Sequence, residues 1–405
     1  MREENRDSAR DRRGFLLEPG VVVAAAVTFL MTGAEELWKR FIPRYIEALG
    51  APVLAVGAYG TVRDLVDALL QYPGGWVTDR FGRRAALRSF IFLAALGYAA
   101  YLASPTWPLT FVALPFVMCW ASAASPTVFA IIGDALPSRH RTLGFTVQSM
   151  TRRIPIAVAP ALGGALIASL GVLAGVRVGL AVAIVGAALA FVVAGAIGER
   201  RTSRGASGTD GGGSTSIGDV WSHMPPPLRR LLMSDVLVRT CESMVDVFVV
   251  LYATRIIGVT APQFGALVSV QMVASMVVYV PAAALARHIG RKPLVVATFV
   301  AFALFPLAVI AASDFAGLVA AFVVGGLRET GEPARKAAIV DLADPGRRGR
   351  TTGLYYLVRS LAITPAAVVG GALWSVRPEL PFVIAGAFGL LGAIVFALSV
   401  PASEV

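Results

Sequence analysis

The turn after the second apolar stretch reads Gly75-Trp76-Val77-Thr78-Asp79-Arg80-Phe81-Gly82-Arg83-Arg84-Ala85-Ala86-Leu87. Gly82 permits a tight turn, Asp79 is placed to cap or pair across a helix end, and Gly75 permits a close approach between helices. Arginines in so short a loop also fit a cytoplasmic position, because such loops carry an excess of Lys and Arg. The run therefore predicts a short cytoplasmic connection between two membrane helices.

The composition around this turn is that of a membrane protein. Of the 405 residues, 56% are hydrophobic and 15% are charged, and the mean hydropathy is +0.71. A membrane-spanning helix needs about 20 apolar residues, so the apolar runs predict twelve spans and exclude an ordinary soluble enzyme. The spans are expected near 17–46, 52–76, 85–104, 107–133, 143–170, 174–197, 228–256, 262–286, 293–312, 315–341, 351–375 and 380–400.

The sixth and seventh spans are separated by a Gly- and Ser-rich segment, 199–227, which predicts a flexible cytoplasmic linker. It divides the chain into an amino-terminal six-helix bundle, 1–198, and a carboxy-terminal six-helix bundle, 228–405. Most of the 36 Lys and Arg residues are cytoplasmic if the amino terminus is inside, so both termini are expected there, with no cleaved signal peptide. The scarcity of Lys is typical of a GC-rich bacterial genome, which predicts the bacterial cytoplasmic membrane.

The two halves of the sequence repeat one another at a spacing of 207 residues. The matched positions include Glu35 and Glu242, Asp134 and Asp341, Arg152 and Arg359, and Gly163-Gly164 and Gly370-Gly371. Chance similarity among Ala, Leu and Val does not produce matches between charged residues. The repeat predicts two bundles of the same orientation, related by a pseudo-two-fold axis along the membrane normal, with a site between them.

The turn resembles the signature loop of the major facilitator superfamily, G-x-L-A-D-R-x-G-R-R/K-x-x-L, with departures at Val77 and Thr78. With twelve spans and the repeat, the resemblance covers essentially the whole chain. It implies an all-α polytopic membrane protein of twelve transmembrane helices in two six-helix bundles, and a transporter rather than an enzyme. Because the family's loop latches the outward-facing state, the resemblance implies a gating motif of Gly75, Asp79, Arg80, Gly82, Arg83 and Arg84. The alternative is that these arginines only set the topology.

Charged residues within the spans mark a polar pathway. Each costs about 2.5–3.5 kcal/mol on insertion scales, so a set of them is expected to face a cavity. A spacing of four residues predicts structural pairs along one helix face, which are Arg63 with Asp67, Asp235 with Arg239, and the series Arg328, Glu332 and Lys336. Pro333 frees a backbone carbonyl in the same tenth span and predicts a bend there.

Acids in the spans are candidates for proton coupling, because burial and a neighbouring arginine bias the ionisation of a carboxyl group in opposite directions. The proton-coupling candidates are Glu36, Asp67, Glu242 and Glu332. The alternative for Glu36 and Glu35 is a structural pair with Arg40 and Lys39, four residues further on.

The matched residues Arg152 and Arg359 can present one guanidinium from each bundle to an anionic substrate, because Arg binds carboxylate and phosphate groups through two hydrogen bonds. The alternative is that Arg152 reaches polar cover at the cytoplasmic end of its helix. The candidates for lining the substrate cavity are Glu35, Arg63, Asp64, Arg152, Arg239, Arg328, Glu329 and Arg359.

The fifth span also resembles the antiporter signature G-x-x-x-G-P-x-x-G-G of drug exporters in the superfamily, matching it at Pro160, Gly163 and Gly164. The resemblance implies proton antiport and export. Small residues there are expected to pack closely against the eighth span. Helix packing alone is the alternative, because Gly-Gly-Ala-Leu recurs in the eleventh span.

The expected function is secondary active transport of a small organic solute, in the form of proton-coupled efflux by alternating access. The alternative is an organic-anion symporter or exchanger that uses Arg152 and Arg359, and a membrane sensor or enzyme is the third hypothesis. The sequence shows no metal-ligand spacing or nucleotide-binding loop. We therefore expect no metal and no cofactor other than a proton gradient, no nucleic-acid partner, and a monomer in the lipid bilayer.

Overall fold

The computed structural model describes residues 18–136, 141–197, 224–342 and 348–400, and these residues form helices joined by short connections. Both chain ends and residues 199–223 of the expected linker lie outside the described residues. The linker and the cytoplasmic placement of the termini therefore stay predictions.

Each predicted span of the amino-terminal half is helical. The first span is α1 (Pro19–Glu36), continued through a turn at Lys39–Phe41 into α2 (Ile42–Ala48). The others are α3 (Val53–Phe81), α4 (Arg83–Ala103), α5 (Pro108–Met118) and α6 (Ala124–Ala135) with a π-helical turn at Cys119–Ala123 between them, α7 (Arg141–Leu170) and α8 (Val172–Ala194). Gly82 and Gly171 end α3 and α7 with φ of +86° and +81°, a backbone conformation that glycine adopts without strain.

The carboxy-terminal half repeats this order. It contains α9 (Pro226–Leu251) with a π-helical turn at Tyr252–Ile256, α10 (Ala261–Ile289), α11 (Lys292–Ala311), α12 (Phe315–Leu327), α13 (Glu332–Asp341), α14 (Arg348–Ile363), α15 (Ala366–Val376) and α16 (Leu380–Ser399). Gly290, with φ of +81°, ends α10 as Gly82 ends α3. The Thr260 side chain and Gln263 form a reciprocal cap at the start of α10, which satisfies two donors at the helix start.

The fourth and tenth spans are irregular at equivalent places. The π-helical turn at Cys119–Ala123 lies in the fourth span, and the tenth span is interrupted between Leu327 and Glu332. A proline follows each irregularity, at Pro126 and at Pro333. The bend predicted from Pro333 is thus a break in the helix, with Pro333 in the first turn of α13, where a missing N–H costs nothing.

Contacts group the described residues into two units. The first contains residues up to Tyr45 and from Val66 to 197, and the second contains Ile46–Leu65 and the residues from 224 onward. Helix α3 therefore belongs to the second unit at its amino-terminal end and to the first unit beyond Leu65. The second unit thus includes a segment from the amino-terminal half of the sequence.

The 207-residue repeat is present in the packing of each unit. A Cβ atom at Gly163 would overlap the backbone carbonyl of Leu37, and a Cβ atom at Gly370 would overlap that of Met244. Gly370 and Met244 each lie 207 positions after Gly163 and Leu37. The same backbone contact between the same helices occurs in both units, because only glycine allows so close an approach.

In the described part of the chain, nine helices are long and apolar enough to cross a membrane. The expected spans outside this set are the second, the seventh and the tenth. These spans carry Arg63 and Asp64, Asp235 and Arg239, and Arg328 and Glu332, respectively. Their charges lower the mean hydropathy, so each needs internal pairing to lie in a bilayer.

Replacing Gly163 with Ala is expected to destabilise the protein by about 1–3 kcal/mol, because the new methyl group meets backbone rather than a movable side chain. The apparent melting temperature of the purified protein in detergent measures this change. Gly353→Ala is the control, because a Cβ atom there meets no described residue within 4 Å. Equal melting temperatures for the two variants would contradict the packing described for Gly163.

Candidate functional site

A buried carboxylate organises the centre of the second unit. Asp235 on α9 is fully buried, and its Oδ2 accepts hydrogen bonds from Arg335 Nη1 at 2.7 Å and from the Tyr355 hydroxyl at 3.0 Å. Arg359 Nη1 lies 3.5 Å from the same oxygen. A buried charge is tolerated when it is paired and hydrogen-bonded, so Asp235 holds α9, α13 and α14 together.

Glu332 is the second buried acid of this region. Arg335 donates to both of its carboxylate oxygens, from Nε at 3.0 Å and from Nη2 at 2.8 Å. Arg239 Nη2 donates to it from α9 at 2.5 Å. Two-point binding of a carboxylate by arginine is among the strongest side-chain interactions, so Glu332 connects the start of α13 to α9.

Glu242 is the third acid and the most accessible. It accepts hydrogen bonds from Arg239 Nη1 at 2.7 Å and from Arg328 Nη1 at 3.4 Å. Its side chain is 32% exposed, against 8% for Glu332 and 0% for Asp235. Glu242 is therefore the carboxylate of this group that water reaches most readily.

Two buried aromatic rings lie beneath the arginines. The Arg328 guanidinium lies 4.5 Å from the centre of the Phe305 ring and 5.1 Å from that of Phe302, and the Arg239 guanidinium lies 4.8 Å from the Phe302 ring. The face of an aromatic ring attracts a cation, most strongly where water is excluded. The rings thus stabilise positive charge that the three acids do not fully neutralise.

We call this set the arginine cluster; it comprises Asp235, Arg239, Glu242, Arg328, Glu332, Arg335, Tyr355 and Arg359. Its four arginines and three acids leave one formal positive charge in excess. The predicted pair of Asp235 and Arg239 is present, with Nε and Oδ1 3.8 Å apart.

The predicted series Arg328, Glu332 and Lys336 is wrong. The helix ends at Leu327 and begins again at Glu332, so Arg328 and Glu332 do not lie on one continuous helix face. Arg328 bonds Glu242 instead, and the break is held by a 2.6 Å hydrogen bond from the Gly331 N–H to the Thr298 hydroxyl. Glu329, another candidate, lies half-buried within the break.

The first unit contains an open polar cavity, whose empty space of about 450 Å³ includes solvent at its mouth. It is lined by Thr28, Thr32, Glu35, Glu36, Lys39, Trp120, Ala121, Ala124, Ser125, Val128, Gln148 and Arg152. We call it the first-unit cavity. It brings together three predicted site residues, Glu35, Glu36 and Arg152.

The first-unit cavity and the arginine cluster occupy equivalent places in the repeat. All eight members of the arginine cluster lie 207 positions after residues that line the cavity, which are Thr28, Thr32, Glu35, Ala121, Ser125, Val128, Gln148 and Arg152. Small or neutral residues at most of these places leave open space in the first unit. Long charged side chains fill the equivalent space in the second.

The acids of the cavity are paired as the structural alternative expected. Lys39 Nζ lies 3.2 Å from a Glu35 carboxylate oxygen, and Arg40 Nε lies 3.0 Å from one of Glu36. Both acids are buried. Their charges are therefore neutralised within the wall of the cavity.

Arg152 and Thr28 present unused hydrogen-bonding groups to the cavity. Among the described residues, the Arg152 guanidinium has no ion pair or hydrogen bond. Its electrostatic interaction is with Glu36, whose carboxylate is already bonded by Arg40. Thr28 is 2% exposed, and its hydroxyl has no partner within the described part of the chain.

Arg63 and Asp64 lie in the part of α3 that belongs to the second unit. Arg63 Nη1 is 2.9 Å from Asp246 on α9, and the Ser243 hydroxyl donates to Asp64 at 2.6 Å. The predicted pair of Arg63 with Asp67 is wrong. Asp67 accepts a hydrogen bond from Ser122 in the first unit, because α3 changes packing partners between these positions.

The turn after α3 has the geometry that its glycine predicts. Arg83, directly after Gly82, lies 3.0 Å from Asp134, and Arg291, directly after Gly290, lies 2.7 Å from Asp341. Each unit thus has the same ion pair beside the same turn. Arg84 is half-buried in the first turn of α4.

The remaining motif residues Gly75, Arg80 and Asp79 have different surroundings. The close approach expected at Gly75 occurs at Gly74, where a Cβ atom would overlap the backbone of Ala123, whereas one at Gly75 meets nothing within 4 Å. Arg80 is exposed and lies over the rings of Trp76 and Phe81. The side chain of Asp79 lies outside the described part of the structure.

The small residues of the fifth span lie within α7. Pro160, Gly163 and Gly164 are all buried, and Gly163 is the residue that approaches Leu37 of the first span. The close contact shown for Gly163 is therefore internal to the first unit.

The residues at the centre of each site were not all candidates from the sequence. Asp235, Arg335 and Tyr355 complete the arginine cluster, and Thr28 and Gln148 complete the cavity. The 207-residue spacing is the signal that connects them, because it pairs Thr28 with Asp235 and Gln148 with Tyr355.

A family model described as Major Facilitator Superfamily matches residues 24–233 and 231–405. A curated relative, the Na(+), Li(+), K(+)/H(+) antiporter of Planococcus maritimus, is 34% identical over 100 residues. That match spans 23% of each chain, so the chain covers less than a quarter of this relative's length.

Several solved transporters have the same fold. The nucleoside transporter NupG has a TM-score of 0.75 at 12% identity, covering 94% of this chain and all of its own. A bacterial homologue of the iron transporter ferroportin, in an inward-facing state, has a TM-score of 0.75 at 16% identity, covering 94% of this chain and 98% of its own. The peptide transporter POT in complex with sulfate has a TM-score of 0.74 at 16% identity, covering 93% of both chains. These likenesses show the fold alone.

Asp235→Asn is expected to destabilise the protein by about 3–5 kcal/mol, because it leaves the buried Arg335 without one of its two carboxylates. Asp246→Asn is the control; its side chain is 41% exposed, and loss of its pair with Arg63 is expected to cost about 0.2–1 kcal/mol. Thermal unfolding in detergent measures both. Similar melting temperatures for the two variants would contradict the central role of Asp235.

Proposed function

The chain belongs to the major facilitator superfamily, and from this we propose that it is a proton-coupled secondary transporter that exports a small organic solute by alternating access. It is a multi-pass membrane transporter and not an enzyme. We place it in the cytoplasmic membrane of a bacterium, with both termini inside, as a monomer driven by the proton gradient. The antiporter of Planococcus maritimus offers partial support, because it is named as exchanging cations for protons.

The proposal of proton coupling rests on the position of Glu242. It is the most accessible acid of the arginine cluster and accepts hydrogen bonds from two guanidinium groups. When Glu242 takes up a proton, Arg239 and Arg328 lose that acceptor, and the excess charge of the cluster rises from one to two. Excess charge is unfavourable where water is scarce, so protonation favours a different arrangement of the helices.

The helices that would respond are those joined by these arginines. Arg239 is bonded to Glu242 and Glu332, and Arg328 lies at the break between α12 and α13. Because the broken helix has no continuous backbone ladder there, its two parts can move separately at low cost. Glu242 is therefore proposed as the proton carrier, and Glu332 as the acid that keeps its bond to Arg239 when Glu242 is protonated.

A second contact supports alternating access. Arg63 and Asp64, from the amino-terminal half of the sequence, bind Asp246 and Ser243 from the carboxy-terminal half. A Cβ atom at Gly57 would overlap the backbone of α15, and one at Gly60 would overlap the side chain of Ala367 on the same helix. We propose that this polar contact forms and breaks during each transport cycle.

The second candidate function is organic-anion symport or exchange. Arg152 at the cavity favours it, because its guanidinium has no hydrogen bond or ion pair among the described residues. The matched arginine, Arg359, is less available to bind an anion, because an Asp235 carboxylate oxygen lies 3.5 Å from it. The two functions differ in the direction in which protons move when solute is added.

Glu242→Gln is expected to reduce solute-driven proton movement to the level of empty liposomes, because the amide cannot take up a proton. Protein reconstituted with a pH-sensitive dye inside the vesicles measures this, with organic cations, neutral solutes and organic anions added outside. Antiport raises the internal pH as solute enters, whereas symport lowers it.

Glu379→Gln is the matched control, because this acid lies at the start of α16, away from the arginine cluster. It is expected to keep the wild-type response. Proton movement that survives in Glu242→Gln would exclude Glu242 as the carrier, and acidification by anions in the wild type would favour symport over export.

Exchanging the charges of one pair tests the second contact. Arg63→Asp and Asp246→Arg are each expected to reduce solute uptake into proteoliposomes, because each places like charges together. The double variant is expected to recover most of the uptake, because it restores an opposite pair. A double variant no more active than the single variants would show that the Arg63–Asp246 pair does not serve the cycle.

A further inference from the structure

The internal repeat provides a template for what the first-unit cavity binds. In the second unit, the Asp235 carboxylate lies against Tyr355 and Arg359, which both come from α14. The residues 207 positions earlier are Thr28 for the acid, and Gln148 and Arg152 for its partners. The first unit thus keeps the arginine and a polar neighbour, while the carboxylate between them is absent.

A second acid of the arginine cluster, on the tenth span, also has no acidic counterpart in the first unit. Glu332 has Ser125 as its counterpart, a shorter side chain without charge. Both substitutions enlarge the space in front of Arg152 and remove negative charge from it. By the 207-residue pairing, the open space of the cavity corresponds to the place that these side chains take in the second unit.

Among the charged side chains described at the cavity, Arg152 is the cation that is not bonded to an acid. Glu35 and Glu36 are bonded to Lys39 and Arg40, so these four charges balance. Arg152 adds one positive charge, and within the described residues no carboxylate bonds it. A ligand that neutralises this charge carries a single negative charge, which a carboxylate supplies in the planar form that guanidinium binds.

We propose that the first-unit cavity binds a small organic monocarboxylate, whose carboxylate group takes, beside Arg152, the place that Asp235 takes beside Arg359. The Thr28 hydroxyl has no partner among the described residues, in a residue that is 2% exposed, and it donates to the same group. Trp120 also lines the cavity, and its ring packs against the apolar body of the ligand. This inference rests on the proposed function, because it names the class of solute that is transported.

Binding to the purified full-length protein, measured by calorimetry in lipid nanodiscs without a proton gradient, tests the inference. The probes are benzoate and hexanoate, with benzamide and hexanamide as uncharged analogues of the same shape. The wild type is expected to bind at least one carboxylate more tightly than its amide by about tenfold or more, as for a charge-assisted hydrogen bond. Arg152→Gln is expected to remove this preference, and Arg153→Gln, one residue further along α7, is expected to keep it.

A second variant supplies the missing carboxylate from the protein itself. Thr28→Asp is expected to abolish carboxylate binding, because the new side chain occupies Arg152 as Asp235 occupies Arg359. Thr28→Asn, similar in size and uncharged, is expected to weaken binding less. A folded Thr28→Asp protein that binds the carboxylate as tightly as Thr28→Asn contradicts the proposal, as does a wild type that binds none of the four probes or does not prefer a carboxylate.

The outcome is separable from that of the proposed function. Equilibrium binding does not require Glu242 or a proton gradient, so a carboxylate that binds without moving protons overturns proton coupling alone. Proton movement driven by solutes other than carboxylates, with no carboxylate bound, overturns the ligand class alone.

Discussion

Charge within a membrane has to be neutralised inside the protein, and the second unit is built around this requirement. Asp235, with no exposed side-chain surface, is bonded from two other helices. Glu332 satisfies the same requirement for Arg239 and Arg335. Removing any member leaves a buried charge unmatched, so the positions of α9, α13 and α14 depend on one another. The charged residues of the seventh, tenth and eleventh spans are therefore what position these helices.

The two halves show how one backbone arrangement supports two chemistries. The contact of Gly163 with Leu37 recurs at Gly370 and Met244, so the helices pack alike in each unit. At the centre, however, one unit has an open polar cavity and the other has the arginine cluster. The difference comes from a few side chains, such as Thr28 against Asp235. Of the two repeats, the first unit thus has an open cavity at this place, and the second has ion pairs there.

Irregular helices lie beside both sites. The π-helical turn at Cys119–Ala123 includes Trp120, which lines the cavity, and the break between α12 and α13 contains Arg328 of the cluster. Where the backbone hydrogen bonds of a helix are interrupted, some N–H and C=O groups lack a helical partner and the helix can bend. Membrane helices tolerate this where polar neighbours hydrogen-bond those groups. At the break, the Thr298 hydroxyl has this role for Gly331. Binding groups and irregular backbone thus coincide along the chain.

The sequence by itself determined the helical spans, the turn at Gly82 and the 207-residue repeat, because hydropathy, glycine backbone freedom and matched charged positions are properties of the residues themselves. It also named several charged residues of the two sites, among them Arg152, Arg239 and Glu242. Spacing predicted some of their partners, such as Asp235 for Arg239, and only the tertiary structure decided the others. Arg63 binds Asp246, which is 183 positions away, rather than Asp67 on its own helix, and the helix break separates Arg328 from Glu332. Partners depend on which helices pack together, and spacing along one helix does not contain that information.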